Sequence, residues 1–91
     1  MVIEQRPMYT VQQIMVAHRI SVERLALVAG VDAVRIHLVL RGGYIRRRHA
    51  EYMLQGLSIL SGKQWTRENV KGLRVYQEHT MRFVPDYAMF H

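Results

Sequence analysis

SVERLALVAGVDAVRIHLVLRG, residues 21–42, is the stretch whose reading decides the fold. Ser21 is an N-cap candidate, because its hydroxyl can accept from a free amide of the first helical turn. Val22, Leu25, Ala26, Val28 and Ala29 follow, and Gly30 closes a helix of about eight residues by taking up the left-handed conformation that side chains disfavour. Asp32 caps the next helix and sets a carboxylate at the positive end of its dipole. That helix is expected over residues 33–40, with Ile36, Val39 and Leu40 as its buried stripe and Gly42-Gly43 as its stop. Ala26 is small enough for the two helices to approach closely, while Leu25, Val31, Ile36 and Val39 bury the corner between them. The expectation is a second helix held out from the body with its opposite face free.

Outward from this pair the chain stays helical. Thr10 reads as an N-cap for a helix over residues 11–18, with Val11, Ile14 and His18 on one face and Ile20 as an apolar plug behind it. After a loop containing Tyr44 and Ile45, residues 47–60 place Ala50, Met53, Leu54, Leu57 and Leu60 on one buried face. Gly56 weakens this helix, by about 1 kcal/mol relative to Ala, and Gly62 ends it. Thr66 begins a short capped turn reaching Val70. Beyond Gly72 two spacings compete. Leu73, Arg74 and Val75 alternate as a strand does, whereas Val70, Leu73 and Tyr76 fall on one helical face. Residues 1–72 therefore read as one domain. Residues 73–91 read as a tail whose Phe83, Tyr87 and Phe90 suit it to docking or to joining two subunits.

Ninety-one residues, 49% of them hydrophobic, suit one small globular domain near the lower limit for burying its own core. The absence of cysteine rules out a disulfide or thiolate staple and fits a reducing cytoplasm. No apolar run is long enough for a membrane span, and residues 1–7 lack the apolar core of a signal peptide. The formal charge is +6, from 13 Lys and Arg against 7 Asp and Glu, and 11 of the cations are arginines. Arginine's planar fork suits phosphate and guanine. Distribution says more than the total: no acid lies between Asp32 and Glu51, yet Arg35, Arg41, Arg46, Arg47 and Arg48 all do.

With Ser21, Leu25-Ala26, Gly30-Val31, Asp32, Ile36, Val39 and Gly42 in register, the chain resembles the Cro and phage-repressor type of helix-turn-helix protein. Ile14 and Ile20 match apolar positions of the helix that precedes this unit in the family, and Met53, Leu54 and Leu57 match the helix that follows. The resemblance spans residues 11–60. It implies an all-α, lambda-repressor-like bundle of about five helices, sequence-specific binding of double-stranded DNA by a transcriptional regulator, and a homodimer on a two-fold operator. Some positions depart from the family. Val22 stands where a phosphate-holding Gln is common, and Asp32, Ala33 and Val34 stand where base-reading polar residues are common. Leu27, Val28 and Leu38 are apolar where the family often shows polar surface.

On this reading Val34, His37 and Leu38 approach bases, and Arg35, Arg41, Arg46, Arg47 and Arg48 meet phosphates. The bland counterparts are a solvated helix start for Arg46-Arg47-Arg48, whose charges oppose the dipole, and a surface histidine for His37. The five histidines lack metal-ligand spacing, no catalytic motif occurs, and no cofactor, small-molecule substrate or membrane partner is expected. Trp65, Tyr76, Phe83, Tyr87 and Phe90 can stack on single-stranded bases, although packing or dimer contact also accounts for them. The rival to DNA binding is a protein-interaction module, an antitoxin or adaptor subunit, in which Leu27, Val28, Val34 and Leu38 form the contact patch.

Overall fold

Three helix starts are set by side chains that accept from their own first turn. Thr10 Oγ1 accepts from the Gln13 amide at 3.1 Å, and Gln13 Oε1 accepts in return from the Thr10 amide at 3.0 Å, a reciprocal capping box. Ser21 Oγ accepts from the Arg24 amide at 3.0 Å, and Asp32 Oδ1 from the Arg35 amide at 3.1 Å. The computed structural model describes residues 8–76. The three caps open α1 (Val11–Ala17), α2 (Val22–Ala29) and α3 (Ala33–Leu40). A longer helix, α4 (Arg47–Ser61), follows without a side-chain cap on its N-terminus.

The helix ends share one device. Gly30 takes φ +74°, and the Val31 amide reaches back to the Ala26 carbonyl at 3.3 Å, folding buried Val31 against the corner. Arg19 does the same at the end of α1 with φ +55°, and the Ile20 amide donates to the Met15 carbonyl at 2.8 Å. Each junction therefore reads as left-handed residue, buried apolar plug, N-cap: Arg19-Ile20-Ser21, then Gly30-Val31-Asp32. At the end of α3 the Gly43 amide donates to the Leu38 carbonyl at 2.9 Å, and the Leu38 side chain lies where a Cβ on residue 43 would stand.

Four short strands lie among the described residues as well. β1 (Tyr9–Thr10) leads into α1 and β2 (Tyr44–Ile45) leads into α4. After α4 the chain returns as β3 (Val70–Lys71), parallel to β1 with Tyr9 opposite Val70, and β4 (Arg74–Val75), parallel to β2 with Ile45 opposite Val75. Residues 70–75 thus strap the start of α1 to the start of α4.

The expected helices over residues 11–18, 33–40 and 47–60 are present to within one residue. Four helices lie among the described residues, where about five were expected, and the fold is mostly helical rather than wholly so. Beyond Gly72 the strand spacing holds instead of the helical one. Leu73 and Val75 pack against the core, so the body extends past residue 72. Phe83, Tyr87 and Phe90 lie outside the described residues.

One core joins these parts. Leu25, Ile36, Met53 and Leu57 are fully buried, with Val11, Ile14, Val31, Val39, Ile45 and Val70 around them. α2 crosses α4 at Gly56. A Cβ there would stand 2.8 Å from Ala29 Cβ and 3.1 Å from Ala29 Cα, so the crossing requires glycine's lack of a side chain. No helix among the described residues is long and apolar enough to cross a membrane.

Candidate nucleic-acid interface

α3 buries Ile36 and Val39, and a helix advances about 100° per residue. The side directly opposite therefore carries Val34, Leu38 and Arg41, with His37 beside them. All four are exposed, Val34 to 76% and Leu38 to 44%. Leu38 is the more covered because it leans over Gly43. Arg41 forms the C-terminal cap of α3, where a cation complements the negative end of the dipole.

Arg35 is engaged differently from the other site residues. Its Nη1 donates to Asp32 Oδ2 at 2.7 Å, while Asp32 Oδ1 holds the Arg35 amide. Both oxygens of the α3 cap are thus occupied by one residue, and one edge of the Arg35 fork is turned back on its own helix. The pair is half-exposed, so its own contribution to stability is small.

Arg46, Arg47 and Arg48 are exposed at the start of α4. β2 turns Tyr44 outward and buries Ile45, and Arg46, the N-cap residue of α4, follows exposed. His49, half-buried one residue further on, reports what surrounds it. Burial first, and then the positive charges of Arg35, Arg48 and Arg46, lower its pKa from the ordinary 6.5, with Asp32 opposing. Its Nδ1 is buried and has no hydrogen-bond partner among the described residues, and its ring meets Tyr52 edge-on at 6.3 Å. Charges from the start of α3 and from the start of α4 therefore both reach His49. Arg35, Arg46 and Arg48 all disfavour its charged form, and Asp32 favours it. Arg41 lies at the other end of α3, roughly 9 Å along the axis from Arg35 at 1.5 Å per residue. Arg47 is exposed but is not among the charges acting on His49.

Sequence reasoning singled out eight residues here. The structure groups Val34, His37, Leu38 and Arg41 on the outer side of α3, and sets Arg46, Arg47 and Arg48 exposed at the start of α4, with Arg35 paired to Asp32 at the start of α3. His49 itself was not foreseen, since nothing in its spacing shows that charges on α3 reach it. The exposed cluster of Tyr44, Arg74 and Tyr76 was not foreseen either. The two rings lie 5.8 Å apart, and the Arg74 guanidinium stands 5.9 Å from the Tyr44 centroid. Their neighbourhood follows from the pairing of β2 with β4, which is non-local. Trp65, one of the aromatics considered for base stacking, is half-buried. It donates from Nε1 to Ser61 Oγ at 2.9 Å and packs edge-on against Tyr9.

Elsewhere a hollow of about 540 Å³ opens between α4 and the turn at residues 64–68. Its charged members Glu51, Arg67 and Glu68 are all exposed. A shallow apolar depression lined by Ala26, Leu27, Val31 and Ala33 marks the outer corner between α2 and α3. In comparisons with known proteins no family model matches the chain, and no curated protein or solved structure matches it.

Proposed function

We propose that α2, its turn and α3 form a helix-turn-helix, and that this protein binds double-stranded DNA as a cytoplasmic transcriptional regulator. α3 lies in the major groove with Val34, His37, Leu38 and Arg41 toward the base edges. Arg35, Arg46, Arg47 and Arg48 meet the phosphates of one flank. The observation that carries this reading is the outer side of α3, where Val34, His37, Leu38 and Arg41 stand exposed opposite the buried Ile36 and Val39, together with the exposed Arg46, Arg47 and Arg48 at the uncapped start of α4. Three exposed arginines at the start of α4 oppose the positive end of its dipole, and an entering anion relieves that repulsion. A phosphate of the backbone supplies that anion, and the free amides of the first turn of α4 add to the attraction. A homodimer, with one copy per half-site, belongs to the same proposal.

The test is a titration of the 91-residue chain against random-sequence duplex DNA at two salt concentrations. Binding weakens steeply with salt, and each phosphate contact removed lowers the log–log slope by about 0.9. Arg46→Ala and Arg41→Ala are each expected to weaken binding at low salt. Unchanged affinity in both variants refutes the assignment.

A protein-interaction role is the second reading, and it is favoured by Leu27, exposed to 83% on the outer face of α2. In that case Leu27→Ser and Val34→Ser abolish association with a protein partner or a second copy, and DNA affinity is absent from the start.

A further inference from the structure

The outermost line of α3 is apolar where a solvated helix is normally polar. Val34 and Leu38 are one helical turn apart and face outward, with Arg41 continuing the line. Neither apolar side chain is loose. Val34 is β-branched and confined to few rotamers, and Leu38 is propped over the backbone of Gly43. The cations that flank this line complement a polyanion, which argues for DNA rather than an apolar protein surface as its occupant.

In a major groove, apolar surface is presented by the C5-methyl group of thymine, whereas the edges of guanine, cytosine and adenine present donors and acceptors. Covering those polar atoms with Val34 or Leu38 leaves them without partners and is penalised. Building on the DNA-binding reading above, we infer that Val34 and Leu38 select duplex sites by the methyl groups of two thymines. The four-residue step from Val34 to Leu38 advances about 6 Å along a helix, close to two base steps of 3.4 Å in B-form DNA. The two thymines therefore stand about two steps apart, with Arg41 directed to the next base or phosphate.

The probe is a random 20-base-pair duplex pool from which the chain selects its preferred sites, after which the selected duplexes are remade with deoxyuridine in place of thymine. Charge and pairing are unchanged, and only the methyl groups disappear. Affinity is expected to fall about fourfold for each of two methyl groups, about 15-fold together. Val34→Thr keeps the branched shape but exchanges a methyl for a hydroxyl, and it narrows the thymine–deoxyuridine difference. Leu27→Ser, on α2, leaves that difference as it is. Thermal unfolding of each variant checks that the fold is retained.

Equal binding of the two duplexes, or a selection that converges on no thymines, overturns the inference while leaving DNA binding intact. Failure to retain any duplex at low salt refutes the DNA-binding reading itself, and the inference with it. A drop in sedimenting mass in Val34→Thr assigns this face to a second copy and also overturns it.

Discussion

Replacing Gly56 by alanine sets two effects against each other, and the structure says which wins. In an isolated helix the change stabilises by about 1 kcal/mol, because glycine is the poorer helix former. At the α2–α4 crossing, however, the new methyl would stand 2.8 Å from Ala29 Cβ and 3.1 Å from Ala29 Cα. Carbon atoms pack comfortably at about 3.5–4.0 Å, so the helices must part by several tenths of an ångström. One of the obstructing atoms is backbone, which cannot swing aside. Overpacking of this kind costs about 1–3 kcal/mol, leaving a net destabilisation of about 1 kcal/mol once propensity is subtracted. In a domain of this size that lowers the melting temperature by roughly 4–8 °C. The assay is urea and thermal unfolding of Gly56→Ala, Ala29→Gly and the double variant. Removing the Ala29 methyl gives the new one room, so the double variant is expected to be more stable than the sum of the single effects by at least about 0.5 kcal/mol. If Gly56→Ala raises stability by the full propensity gain and the two changes are additive, the close crossing is refuted.

Arg19 holds φ +55°, a conformation that strains any side chain; Arg19→Gly is expected to stabilise by about 0.5–1 kcal/mol in urea unfolding, and a loss of stability contradicts the left-handed turn. Asp32→Asn keeps an oxygen for the Arg35 amide and removes the carboxylate paired with Arg35. Its stability should stay within about 0.5 kcal/mol of the parent, while its affinity for random duplex DNA at low salt rises, as a salt titration will show; unchanged affinity argues against phosphate at that flank. His49 has a folded-state pKa below its ordinary 6.5 through burial and the neighbouring arginines. The unfolded chain therefore binds the proton more readily than the folded one, so this contribution to stability is fully present above pH 6.5 and is lost as pH falls through that value toward the folded pKa. Urea midpoints measured between pH 7.5 and 5 should decline, and His49→Gln should decline less; identical slopes remove His49 as the source.

The local signals in this chain were legible because they depend on atoms a few residues apart. Thr10, Ser21 and Asp32 each accept from the amide three residues on, so cap identity alone located three helix starts. Gly30 and Gly42 marked helix ends for the same reason. Arg19 occupies the left-handed position without the glycine that advertises it. Its signal lay in the repeated pair of plug and cap, Ile20-Ser21 and Val31-Asp32, rather than in its own type. Two-residue strands have no alternation to detect. β1 through β4 exist because residues 70–75 return to pair with the lead-ins of α1 and α4, a fact of topology rather than propensity.

The same division explains the site. The outer line of Val34, Leu38 and Arg41 was recoverable from period and from the buried positions Ile36 and Val39. The i,i+3 pairing of Asp32 with Arg35 was within reach of helix spacing as well. What sequence could not supply is the arrival of the start of α3 within electrostatic reach of His49 on α4. That arrival follows from the burial of Ile36, Val39, Ile45 and Ala50 in one core and from the close seating of α2 on Gly56. A glycine read from sequence as a weakness of α4 is thus what lets the outward helix and the arginine-bearing helix keep a fixed relation. If the proposed DNA contact is correct, Gly56→Ala should weaken duplex binding beyond the effect of its lower stability, because parting α2 from α4 also shifts α3 relative to Arg46 and Arg48. Measured at a temperature where the variant is fully folded, an affinity equal to the parent's would separate the scaffold from the site and refute that link.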